Sequence, residues 1–135
     1  MNIVTFESDH VAALGGNIER YTGLAEKGIA YTAMNGKPVF CGGAVTIWPG
    51  VAEVWFLAGP DLKSHVVSGI KAARAMIADG WARLNLHRLQ ATVKASDKVA
   101  VNFAQHFGFE YEGLLKQYNP AKEDFIMFAR LKQWI

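Results

Sequence analysis

Apolar residues recur along this chain with two periods, and the switches between them predict its elements. Asn2–Phe6 is a short β-like run, and Ser8-Asp9 offers a helix cap ahead of Val11, Leu14, Ile18 and Tyr21. Gly15-Gly16 interrupts that helical spacing. Each glycine costs about 1 kcal/mol relative to alanine in a helix, so two short helices or a kink are expected rather than one rod. Ile29–Asn35 and Pro38–Trp48 are β-rich runs joined at Asn35-Gly36, a strong hairpin signal that asks for positive φ at both turn positions. Gly42-Gly43 inside the second run predicts a bulge or a close approach of backbone. After Trp48-Pro49-Gly50, Val51–Ala58 reads as a central strand, apolar on both faces except at Glu53. Beyond Gly59-Pro60 the period lengthens again, placing Val66, Ile70, Ala73, Ile77 and Trp81 on one face of a long helix and Lys63, Lys71 and Arg74 elsewhere.

The stretch His87–Gly113 reads as strand, helix, strand. Leu89, Ala91 and Val93 alternate with Arg88, Gln90 and Thr92, the pattern of a half-buried strand. Ser96 or Asp97 can cap the helix that follows, on which Val99, Phe103 and Phe107 share a face. Gly108 is suited to end it, because without a Cβ it takes the left-handed conformation at low cost. Phe109, Tyr111 and Gly113 lead into the next strand.

Composition narrows the classes. A chain of 135 residues, 51% hydrophobic with four Trp, fits one domain that buries a sizeable core without disulfides or a metal. Cys41 is the one cysteine, and the four His show no zinc-ligand spacing, which favours a reducing cytoplasm. The start, MNIVTFESDH, lacks a basic region followed by an apolar core, and no apolar run approaches the roughly 20 residues of a membrane span. A soluble, cytoplasmic protein is expected. Net charge is +2, with Lys and Arg spread along the chain rather than gathered in a basic stripe, so nucleic acid is not the expected partner.

Five pieces in order, HRLQATV, SDKVAVNF, GFEYEG, LLKQY and DFIMFARL, lie between residues 85 and 131. Together they resemble the C-terminal half of the GNAT superfamily of N-acetyltransferases, above all the branch that acetylates ribosomal-protein N-termini. The resemblance implies an α/β (α+β) fold with a mixed, mostly antiparallel central sheet flanked by helices. It also implies acetyl-CoA as acyl donor and a primary amine, a protein N-terminus or a small-molecule amine, as acceptor. One departure is plain. Most members carry a glycine-rich loop that holds the pyrophosphate of acetyl-CoA, where this chain reads GPDLKSHVVSG. A helix N-terminus with Lys63, Ser64 and His65 can still bind an anion, since the partial positive charge comes from backbone N–H groups. The rival reading is an ordinary capped helix. Some short phage-encoded chains similar to this family also lack the loop, so the alternative function is a non-catalytic binding or structural module, such as a virion-associated protein.

The family's chemistry implies the remaining candidates. The thioester carbonyl is held by backbone at the end of the central strand, here Phe56, Leu57 and Ala58, where a β-bulge would free N–H groups. Glu53 is the candidate base, because AEVWF is similar to the context of the base in the histone-acetylating branch; the bland reading is a strand-end carboxylate facing solvent or a lysine. The position that often carries a tyrosine acid is Ala104, which cannot donate a proton, leaving Tyr118 in the LLKQY arm as a possible donor. Asn102 either bonds the pantetheine amide or faces water. His65 sits beside the expected phosphate site, while His87 matches a position that is usually structural. Trp48 and Trp55 either line the acceptor channel or pack in the core. The terminal LKQWI carries an apolar Trp134-Ile135 end, from which a homodimer is expected.

Overall fold

The computed structural model describes residues 1–131. The chain runs β1 (Asn2–Thr5), α1 (Ser8–Ala13), α2 (Ile18–Ala25), β2 (Gly28–Met34), β3 (Pro38–Trp48), β4 (Val51–Ala58), α3 (Val66–Arg83), β5 (Arg88–Lys94), α4 (Lys98–His106), β6 (Glu110–Leu115) and β7 (Phe125–Arg130). The strands form one seven-stranded sheet in the order β1-β2-β3-β4-β5-β7-β6. Only β4 and β5 are parallel among these neighbours; every other pair is antiparallel. This is the mixed, mostly antiparallel sheet expected.

Alternation sorts the side chains onto two faces. On one, Ala52, Leu89, Ala91 and Phe128 pack with Trp81 of α3 and with Phe107 and Phe109 around the end of α4. Phe40 meets Ala72 and Met76 of α3 further along the same face. The other face carries Cys41, Gly43, Trp55 and Leu57 and is covered by α1 and α2: a Cβ at Gly16 would touch both Leu57 and Val11, and Trp55 lies edge-on to Phe6 and 5.5 Å from the Tyr21 ring.

The local expectations are met with revisions. The first helix is indeed two, broken at Gly15, whose φ is +75°. Its cap is Glu7, not Ser8-Asp9: Glu7 accepts from the backbone of His10, and the His10 ring accepts from the Glu7 N–H at 3.1 Å, a capping box with histidine in the place usually held by Glu or Gln. The hairpin turn spans Asn35–Lys37, with only Gly36 at positive φ (+75°), so it is a three-residue connection rather than the expected two-residue one. The register is regular at Gly42 and Gly43, and Gly43 is the close approach, with Trp55 above it. Asp97 caps α4, its side chain accepting from Ala100 N–H at 3.0 Å, and Gly108 closes it at φ +81°. The predicted faces of α3 and α4 hold at Ile70, Ala73, Ile77 and Trp81 and at Phe103 and Phe107, which pack on the core; Gly69, Ala72, Met76 and Gly80 join them, whereas Val66 is 46% and Val99 66% exposed. Both valines sit in the first turn of their helices. Trp134 and Ile135, on which the expected homodimer rests, lie outside the described residues.

Candidate active site

The centre of the sheet is where two parallel strands part. β4 and β5 pair only over Val51, Ala52 and Glu53 against Arg88, Leu89 and Gln90. Past that point β4 stays with β3 as far as Ala58, and β5 stays with β7 as far as Lys94. The wedge between them leaves alternate backbone N–H and C=O groups of residues 54–58 with no strand partner on that side. The expected bulge at Phe56–Ala58 is absent, since the register against β3 is regular from Ala52 to Ala58. Divergence of β5 frees those groups instead.

Glu53 stands at the apex of the wedge, half-buried, on the face covered by α1 and α2. Its carboxylate accepts from Gln90 Nε2 at 2.9 Å, and Thr92 Oγ1 lies 3.5 Å from the other oxygen. Gln90 Oε1 accepts from Arg88 Nε at 3.0 Å. The Arg88 fork closes on Glu112 at 3.0 and 2.6 Å. That bidentate hydrogen bond holds the Glu112 carboxyl below the usual carboxylate range and pushes Arg88 up. The polar residues of β5 therefore do more than face water. Gln90, Thr92 and Glu112 were not singled out from sequence; the alternation of β5 displayed the first two, but only strand order brings them to Glu53.

At the open end of the wedge, Pro60–Ser64 forms a 3-10 turn and α3 begins only at Val66. Lys63 and Ser64 are exposed on that turn, a full step before the helix start. Among the described residues no side chain caps α3 and no acidic residue lies in its first turn, an arrangement whose backbone N–H groups suit an anion. Asp61, the nearby carboxylate, is engaged by Lys37 at 3.0 Å. His65 has both ring nitrogens occupied: Nδ1 donates to the Asp61 carbonyl and Nε2 accepts from Asn35 Nδ2, each at 3.0 Å. It struts the start of α3 against the β2–β3 turn. No helix among the described residues is long and apolar enough to cross a membrane, and none of their His, Cys, Asp and Glu side chains form a group of three suited to a metal.

A ribosomal-protein-alanine N-acetyltransferase from Brucella melitensis superposes with a TM-score of 0.80 at 16% identity, over 98% of this chain and 100% of its own. The fold is that of the GNAT N-acetyltransferases. Ard1 from Thermoplasma volcanium gives the same TM-score at 14% identity, over 96% of each chain, and a spermidine N-acetyltransferase SpeG F149A mutant from Vibrio cholerae gives 0.77 at 13%, over 97% and 95%. In sequence, the uncharacterized N-acetyltransferase p20 of Bacillus licheniformis is 32% identical over 89 residues, which cover 62% of this chain and 48% of that protein. The chain thus spans about half the length of that relative. No family model matches it.

Within the GNAT fold the other candidates separate by position. Tyr118, 52% exposed, sits in the β6–β7 arm against Phe125, the residue paired with Lys94 at the open end of β5. The arm is fastened there by Lys94–Glu123 at 2.5 Å and by Ala95 N–H to the Asp124 carbonyl at 2.9 Å. Asn102 is exposed on α4, and Ala104 packs against the core. Trp48 belongs elsewhere: it pairs with Val51 at the closed end of β4 and is 67% exposed, so it lines no channel at the wedge. His87 is at that same end, its ring packed so closely under Gly50 that a Cβ there would lie 2.3 Å from Nδ1. Trp55 lies two residues beyond Glu53 on the same face of β4, held between Phe6 and Tyr21. A further feature not expected from sequence is a buried chain from His10 Nδ1 to Thr32 Oγ1 (2.7 Å) to Cys41 Sγ (3.3 Å), which seats α1 on the sheet. Burial pushes the Cys41 thiol up.

Proposed function

We propose that this chain is an acetyl-CoA-dependent N-acetyltransferase acting on a primary amine at the wedge between β4 and β5. The observation that carries the reading is the end of β4–β5 pairing at Glu53 and Gln90, which leaves alternate backbone groups along Phe56–Ala58 facing an opening. Acetyl-CoA supplies an acyl carbon already activated by its thioester. The alternate N–H groups that point into the wedge, those of Phe56 and Ala58, offer donors to an oxygen that gains negative charge. The first turn of α3, with Lys63 and Ser64 before it, suits the pyrophosphate, and Asn102 suits the pantetheine amide; His65 contributes by fixing that helix start. Glu53 removes the proton from the attacking amine, and Tyr118, carried by the arm at the same end of the sheet, is the candidate proton donor.

The acceptor reading favours an α-amine or small-molecule amine over a lysine side chain. An α-amino group titrates at about 7.7–8.0 against about 10.4 for lysine, so it is partly neutral near pH 7 and asks less of a base. A second reading rests on the glycine-poor 3-10 turn at Pro60–Ser64: the fold kept as a binding or structural module, a virion component for example. Thermal unfolding with acetyl-CoA separates them. Ligand at a hundredfold excess over its dissociation constant stabilises the folded chain by about 2.7 kcal/mol, a rise of several degrees. No rise at millimolar acetyl-CoA contradicts the transferase.

A further inference from the structure

The polar chain on the acceptor face of β5 ends on the one carboxylate at the apex of the wedge, and its members are not interchangeable. Arg88 has donors and no acceptor, so the Gln90 side chain must turn its oxygen to Arg88 Nε, at 3.0 Å. That leaves the Gln90 NH2 to donate to Glu53 Oε1, at 2.9 Å. A flipped amide would set NH2 against guanidinium and oxygen against carboxylate at once. Arg88 is itself held by the two-pronged grip of Glu112, on the far side of β7 in the sheet order. The guanidinium charge is thus spent on Glu112, and Glu53 meets a neutral amide in place of a cation. A base needs this combination. Direct pairing with an arginine would favour its charged form and weaken its pull on a proton, whereas no partner at all would leave the carboxylate free to swing out of line.

We infer that Gln90 is the positioning residue for Glu53, oriented by the Arg88–Glu112 pair so that the carboxylate is aimed at the wedge without being neutralised. The inference rests on the proposed role of Glu53 as base. It also gives a use to two residues of the sequence motifs, Arg88 of HRLQATV and Glu112 of GFEYEG.

The test is a double-mutant cycle between Gln90 and Glu53, with acetyl-CoA and a short peptide bearing a free α-amine as substrates, and thermal melting of each variant alongside. Gln90→Glu keeps an acceptor for Arg88 and removes the donor to Glu53; Gln90→Met matches the length and removes both. Each should lower kcat by about 10-fold or more with KM for acetyl-CoA unchanged and the melting temperature close to that of the parent. Glu53→Gln should cost on the order of a hundredfold. In the Glu53→Gln background the Gln90 substitutions should change kcat by no more than about twofold, since an effect that acts through Glu53 has nothing left to act on. A Glu53→Gln chain that is impaired while both Gln90 variants keep the parent rate overturns the positioning role alone, and so does a Gln90 loss that persists undiminished in that background. Full activity in Glu53→Gln removes the base and the positioning role together. A parent chain with no transfer contradicts the proposed function and takes the inference with it.

Discussion

Gly43 sets how near Trp55 can come to the sheet. A Cβ placed there would lie 2.5 Å from the Ile29 carbonyl oxygen and 2.7 Å from two atoms of the Trp55 indole, neither of which is the free end of a flexible chain. One residue earlier, a Cβ on Gly42 would meet Met76 Sδ and the Trp55 carbonyl, both at 3.7 Å, and Phe56 Cδ2 at 3.9 Å, all ordinary contacts. Gly43→Ala should therefore destabilise the chain by about 1–3 kcal/mol. Gly42→Ala should stay within about 1 kcal/mol of the parent in either direction, because it loses no space and restricts the unfolded chain. Urea unfolding of the two variants checks the contrast; equal midpoints contradict the packing described. At this same scale Glu53 stands out in the sequence as the one charge of an apolar strand, and its candidate role comes from the resemblance of AEVWF. Gln90 does not stand out, since a polar residue on the outer face of a strand reads as solvated until its neighbour is known.

Among the elements, β2 and α3 are tied by a polar link that neither periodicity nor motif revealed. Tyr31 donates its hydroxyl to Asp79, which also pairs with Arg83 at 3.0 Å. Burial, and then the bond to Asp79, raise the Tyr31 pKa well above the ordinary tyrosine value of about 10. The folded chain therefore binds this proton more tightly than the unfolded one. The resulting stability is fully present below about pH 10 and is lost as pH rises through the higher folded value. Urea midpoints should fall from roughly pH 9 to pH 11 in the parent, and fall less in Tyr31→Phe. Identical slopes would mean that the hydroxyl makes no such bond. The elements themselves were largely readable: Val51–Ala58 and Pro38–Trp48 match their predicted bounds, and the broken first helix follows from Gly15. The face of α3 was readable at Ile70, Ala73, Ile77 and Trp81, but its small members Gly69, Ala72 and Gly80 were not, because they carry little hydrophobic signal.

For the whole molecule, strand order is the property that makes a site, and it is the one periodicity cannot supply. β7 inserts between β5 and β6, so the last strand among the described residues is not at the sheet edge. The family resemblance of residues 85–131 implied this fold; the residues alone implied only a sequence of strands and helices. Because β4 and β5 are parallel and part after Glu53, that carboxylate stands at the last paired position, where the two strands open into a wedge. The account stands or falls on whether chemistry happens there. Release of free thiol from acetyl-CoA, followed with a thiol reagent while a peptide with a free α-amine is titrated in, measures it directly. The account predicts release that saturates with amine, drops on the order of a hundredfold in Glu53→Gln, and leaves the peptide acetylated at its N-terminus. Binding of acetyl-CoA with no amine-dependent thiol release, for the peptide or for small primary amines at millimolar concentration, would contradict it.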